Sequence, residues 1–267
     1  MNISVSNIAW KKKENEEALA VLNKQNVHAI DIAPTILFNS VHNVTKEEIH
    51  SEQCKYKKHG IDIVAMQSLL FGLPEISFFD GPEARETINN HLKKIFFIAR
   101  ELNVKNLVFG SPKNRFITDF NNDIENIAIK FFTQVCSLAK DYNATICLEA
   151  NPKEYGCNFI TNTFEAVDFI KKVNKSNFKL NFDTSTIILN NNKFQDVLDY
   201  AFPYVQHVHI SSPNIQEIDK LDHKLISELL KSFNYTKYVS LEMKPNINNN
   251  NIETLKKNLS IVAKFYS

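Results

Sequence analysis

A chain of 267 residues, 43% hydrophobic and 23% charged, has the bulk of a soluble globular protein and fits one large α/β domain or two small ones. A formal net charge of +1 argues against a protein that grips a nucleic-acid backbone, and the scattered Lys pairs read as solvated helix faces. No run nears the ~20 apolar residues of a membrane span; "MNISVSNIAWKKK" reverses the charge order of a secretory signal, and four cysteines without a CxxC pattern point to reduced thiols in the cytoplasm.

In chain order, short apolar or β-branched runs bounded by turn residues predict strands at Ile3–Ile8, Ala29–Ala33, Ile61–Gln67, Asn106–Gly110, Thr145–Glu149, Phe178–Asp183, Val205–Ile210 and Tyr238–Glu242. Amphipathic stretches such as "NEEALAVLNKQ", "ARETINNHLKKIFFIAREL" and "NDIENIAIKFFTQVCSLAKDY" lie between them and predict helices. Cap-like pairs open several of these: Thr45 with Glu48, Asn122 with Glu125, Asn162 with Glu165. A last helix is expected over Ile252–Phe265. Eight strand–helix units in ~250 residues is the arithmetic of a (β/α)8 TIM barrel, here a single α/β domain spanning residues 1–267. A doubly wound open sheet competes poorly, because the chain has only five glycines and no GxGxxG turn.

In such a barrel, chemistry sits where strands end and the following loops begin. Strands five to eight end on Glu149 in "CLEAN", Asp183 in "LNFDTS", His209 in "HVHIS" and Glu242 in "SLEMK". Alternation puts the apolar partners, such as Ile146 and Leu148 or Val208 and Ile210, on the opposite face, where they pack on the helix ring. The four polar residues therefore point inward on consecutive strands about 4.8 Å apart. Three carboxylates so close repel one another, and a divalent cation removes that conflict. Three oxygen donors and one imidazole favour one Mn²⁺ or Mg²⁺, with Co²⁺ or Zn²⁺ as alternatives.

From "SNIAW" and "IDIAPT" through "VAMQSLLFG", "LVFGSPKNR", "CLEANPKEYGCNF", "FDTS" and "HVHIS" to "SLEMKP", the sequence resembles the sugar phosphate isomerase/epimerase family, with its xylose-isomerase-like barrel. The resemblance implies that Glu149, Asp183, His209 and Glu242 bind one divalent metal, and that the two glutamates also form the acid/base pair. It further implies a substrate contact at Glu154. Two positions depart from the family pattern: Thr186 stands where many epimerases carry His, and "HISSPN" lacks the Glu or Arg that often follows the strand-seven His. The metal set transfers, whereas the substrate pocket does not.

A metal-chelated hydroxy-carbonyl group acidifies its neighbouring C–H, so one glutamate could remove the proton to give an enediolate and the other could return it. Other candidates carry two readings each. Asn151 and Asn158 suit either sugar hydroxyls or turns. Gln67 and Asp31, on inward faces, suit hydroxyl contacts or buried partnerships. Arg115 and Lys113 in "GSPKNR", and then Lys244, are the anchors for a phosphate or carboxylate. Trp10 either walls the pocket or packs, His207 lies one layer beneath His209 as its support, and Cys147 reads as a buried thiol. The reading is a metal-dependent sugar or sugar phosphate isomerase or epimerase. A sugar dehydratase (lyase) or an endonuclease IV-like hydrolase on the same barrel is the alternative. The expected partner is a small carbohydrate, with no nucleic acid and no membrane; assembly into a homo-oligomer is left open.

Overall fold

The computed structural model describes residues 1–73, 75–120, 123–245 and 250–267. In chain order the elements are β1 (Asn2–Ser6), α1 (Asn15–Lys24), β2 (Ala29–Ile32), α2 (Pro34–Leu37), α3 (Lys46–Lys58), β3 (Asp62–Met66), α4 (Pro82–Glu101), β4 (Asn106–Phe109) and α5 (Ile124–Asp141). There follow β5 (Thr145–Glu149), α6 (Thr163–Val173), β6 (Phe178–Asp183), α7 (Thr184–Leu189), α8 (Phe194–Ala201), β7 (Val205–Ile210), α9 (His223–Ser232), β8 (Tyr238–Leu241) and α10 (Asn251–Tyr266). The strands pair in parallel in the order β1 to β8, and β8 closes on β1. The fold is a closed (β/α)8 barrel.

Local chemistry explains the element ends. Thr45 caps α3 with a reciprocal box: its Oγ1 accepts from Glu48 N at 3.2 Å, and Glu48 Oε2 accepts from Thr45 N at 2.8 Å. Asn162 Oδ1 caps α6 by accepting from Glu165 N at 3.0 Å; the cap expected at Asn122 lies outside the described residues. β1 stops two residues early because Asn7–Ala9 turn into a 3₁₀ segment, capped when Ser6 Oγ accepts from Ile8 N. Asn7 Oδ1 then accepts from Ala33 N at 2.8 Å, which ties the ends of β1 and β2 together.

The apolar core lies between barrel and helices, as parallel strands buried on both faces require. Phe132 of α5 meets the rings of Phe109, Phe169 and Phe178 at centroid distances of 5.0, 5.4 and 5.2 Å, joining α5 and α6 to β4 and β6. The barrel interior is different: Ser4, Asp31, His207, His209 and Ser240 are all fully buried. No helix among the described residues is long and apolar enough to cross a membrane, and all four cysteines are free.

Candidate metal centre and active site

Glu149, Asp183 and His209 are residues of β5, β6 and β7, and Glu242 follows β8 directly. Register brings them level: Asp183 pairs with His209 across β6–β7, and Glu242 N donates to Ile210 O at 3.0 Å. Each offers a ligand atom within 4.8 Å of the others. His209 Nδ1 is 3.2 Å from Glu149 Oε1 and 3.4 Å from Glu242 Oε2.

Further side chains hold the carboxylates in place. Gln67, one residue past β3, donates Nε2 to Glu242 Oε1 at 2.6 Å. Asn181 donates Nδ2 to Glu149 Oε1 at 2.7 Å, and Asn151 Nδ2 reaches Glu149 Oε2 at 3.4 Å. Asp183 Oδ1 accepts from Thr186 N at 2.7 Å, and its Oδ2 accepts a short hydrogen bond from Ser211 Oγ. Thr186, which stands in place of a histidine, donates its hydroxyl to Ala150 O at 2.9 Å and so joins the β5 and β6 loops.

The electrostatics follow from crowding. Burial pushes the Asp183 carboxyl up to about 7, and the charges of Glu149 and Glu242 push the same way, against the Ser211 hydrogen bond and His209. Burial disfavours a charged His209, but Glu242, Asp31 and Glu149 outweigh it and hold the imidazole well above its usual range. Glu149 is the converse: burial raises it, and His209, Asn181 and Arg115 bring it below the ordinary value. A buried imidazole whose two nitrogens find no hydrogen-bond partner of good geometry, set among three carboxylates, has the chemistry of a cation site. The donors present fit one divalent metal.

Other candidates are placed as follows. Arg115 is fully buried and donates Nη2 to Glu149 O at 2.8 Å, bracing the end of β5. Lys113 is exposed and paired with Glu75. Lys244 and Glu154 are exposed, the latter in a 3₁₀ turn, Lys153–Tyr155. Trp10 is packed in the core and donates Nε1 to Asn15 Oδ1 at 3.2 Å. Asn158 clasps the Ile117 backbone with its side-chain amide: Oδ1 accepts from Ile117 N and Nδ2 donates to Ile117 O, each at 2.8 Å. His207 donates across the barrel to Asp31, Nε2 to Oδ2 at 2.6 Å, and Cys147 is buried with its thiol pushed up to about 12.

Four contributors escaped the sequence reading: Asn181, Ser211, Gly110 and Tyr155. Asn181 and Ser211 sit two residues from Asp183 and His209, so strand parity carries a signal for both. Gly110 is needed for space, since a Cβ there would lie 2.7 Å from Glu149 Oε2. The Tyr155 hydroxyl bonds Ser185 Oγ at 2.6 Å and accepts from Asn214 N at 2.9 Å, and its ring lines a cavity of about 400 Å³ with Leu70, Phe71, Leu73 and Lys113. Nothing local in the sequence marks that convergence.

Closed barrel and carboxylate–histidine cluster together define a class. The chain belongs to the xylose isomerase-like TIM barrel family, whose model matches residues 21–264. No curated protein sequence gives a match. Among solved structures the chain is similar to a D-psicose 3-epimerase with D-tagatose from Clostridium cellulolyticum H10, at TM-score 0.81 and 16% identity, covering 100% of this chain and 98% of that one. It is also similar to a 3-keto-D-glucoside 4-epimerase from E. coli, at 0.81 and 15% with 99% of each chain covered. A probable 3-DHS dehydratase from Bacillus anthracis gives 0.71 and 15%, with 98% of each covered. At such identities the likeness establishes the fold.

Proposed function

We propose that this protein is a divalent-metal-dependent epimerase or isomerase of small sugars. One observation carries the reading: Glu149 and Glu242 reach His209 Nδ1 from β5 and β8 at 3.2 and 3.4 Å, so two carboxylates flank a single cation site. The epimerase names of two similar folds support it. Glu149, Asp183, His209 and Glu242 would hold the metal, Mn²⁺ or Mg²⁺ by donor type, with Co²⁺ or Zn²⁺ as alternatives. When bound, the metal supplies Lewis acidity toward a hydroxy-carbonyl group.

The protein's own groups account for the proton transfers. Each glutamate has one oxygen fixed by an amide, Oε1 of Glu149 by Asn181 and Oε1 of Glu242 by Gln67. The carboxylates are thereby oriented, and one removes the proton next to the carbonyl while the other returns it. Return to the same carbon inverts it; return to the adjacent carbon moves the carbonyl. The cavity beside Tyr155, lined also by Ser68, Ser111 and Asn114, would take the rest of the sugar, with Asn151 and Glu154 as further candidates for its hydroxyls. Arg115 braces β5 from full burial and Lys113 is paired with Glu75, which supports a neutral sugar over a phosphate ester. Lys244 and Trp10 stay outside this scheme, and His207 acts through Asp31.

The test is incubation of metal-loaded protein with ketoses, aldoses and their phosphates in D₂O, read by NMR. Glu149→Gln and Glu242→Gln keep an oxygen donor but cannot carry a proton, so activity should fall by ~10²–10⁴ at saturating metal. Each variant should still exchange the proton of the epimer served by the surviving glutamate while net inversion stops. Full inversion in either variant removes that residue from the mechanism. Loss of water from the substrate would move the assignment to a dehydratase.

A further inference from the structure

The two ring nitrogens of His209 keep different company. Nδ1 faces Glu149 and Glu242, whereas Nε2 is 3.5 Å from Asp31 Oδ2. Asp31 comes from β2, three strands away around the barrel, and its carboxylate spans the interior. His207 Nε2 donates to the same Oδ2 at 2.6 Å and anchors it. All three side chains are fully buried, and Asp31 Oδ1 and both His209 nitrogens lack a hydrogen bond of good geometry.

A carboxylate buried in a barrel interior is costly unless it is paired, so Asp31 calls for an explanation. Pairing with His207 alone would account for its charge but not for its position beneath His209. We propose that Asp31 is a positioning residue of the metal centre: it accepts the Nε2 proton of His209, fixes the ring, and leaves the Nδ1 lone pair facing the three carboxylates. A neutral imidazole ligates through the nitrogen that carries no proton, and the acceptor at the other nitrogen decides which one that is. His207 is the strut that keeps Asp31 from turning away. The proposal rests on the metal reading above but concerns the ring of His209 itself.

The decisive spectrum needs metal but no substrate. Long-range ¹H–¹⁵N correlation on wild-type protein loaded with diamagnetic Zn²⁺ should report His209 with its proton on Nε2; a proton on Nδ1 in the loaded protein overturns the proposal. Mn²⁺ affinity, read by electron paramagnetic resonance, supplies the second arm. Asp31→Leu keeps the size of the side chain, removes both acceptor oxygens and should weaken binding by ~10–100-fold, the usual worth of such an outer partner. His207→Gln keeps a donor to Asp31 and should bind Mn²⁺ within a few-fold of wild type. Equal losses in both variants, or wild-type affinity in a folded Asp31→Leu protein, would overturn it. If Asp31→Leu fails to fold, the wild-type spectrum decides. If the wild type takes neither Zn²⁺ nor Mn²⁺, the metal reading fails and the proposal falls with it.

Discussion

Replacing Gly110 with alanine measures how closely the candidate centre is confined. An added Cβ would lie 2.7 Å from Glu149 Oε2, whereas ordinary contact begins at 3.4 Å, so the oxygen must move by the 0.7 Å between them. Retreat is obstructed at side chain and main chain alike: Asn181 holds Oε1 at 2.7 Å, and Arg115 holds the Glu149 backbone carbonyl at 2.8 Å. The β4 backbone cannot withdraw either, because Leu107, Val108 and Phe109 are buried and in register with Ile146, Cys147 and Leu148. Displacing a reacting group by about 1 Å can cost ~10²-fold, so a shift approaching that predicts a loss of kcat/KM of about 10–10². Mn²⁺ affinity should fall by roughly tenfold, while overpacking costs about 1–3 kcal/mol of stability. Mn²⁺ titration and turnover, with circular dichroism to establish folding, read the effect. Gly60→Ala is the control: φ is +66° and the Cβ meets open space, so about 1 kcal/mol of stability should be lost with nothing changed at the site. A Gly110→Ala protein with wild-type Mn²⁺ affinity and turnover would refute the confinement of Glu149.

Saturation with Mn²⁺ at a hundredfold excess over Kd should stabilise the protein by about 2.7 kcal/mol and raise Tm by roughly 5–10 °C, reversed by EDTA; a Tm indifferent to both would refute the cation site. Metal binding at neutral pH should release protons, because His209 must shed the proton its carboxylate neighbours hold, and Asp183, at about 7, part of another. Calorimetry in buffers of different ionisation heat reads this directly. In the metal-free protein Asp183 lies above its ordinary 3.8, so its stabilising contribution is complete below 3.8 and lost as pH rises through about 7; Asp183→Asn should abolish that decline in urea melts. Tyr155→Phe removes the bonds to Ser185 and Asn214 N, should cost about 1 kcal/mol, and should raise KM with Mn²⁺ affinity held; a loss of Mn²⁺ affinity instead would put the phenol in the metal centre.

What the sequence determined by itself is what depends on neighbours along the chain. Alternation of Ile146 and Leu148 with Cys147 and Glu149 marks the strand, its buried face and its inward carboxylate at once. The same parity makes Asp183 and His209 legible as inward groups, and Glu242 at the next strand's end, because parallel strands all finish at the same mouth. Thr45 and Asn162 were readable as caps for the equally local reason that a helix start leaves N–H groups unpaired within one turn. Only the tertiary structure decided which inward groups meet. Asp31 could have been a sugar contact; it instead crosses to His207 and lies beneath His209, Gln67 holds Glu242, and Arg115 turns into the protein against Glu149 O. Those pairings depend on the closure and stagger of the barrel and on local register shifts, at Ile30/Asp31 between β2 and β3 and at Leu180/Asn181 between β6 and β7. A two-residue period says which side of a strand a residue occupies, but the height at which it faces a residue from across the barrel is set only when the sheet closes.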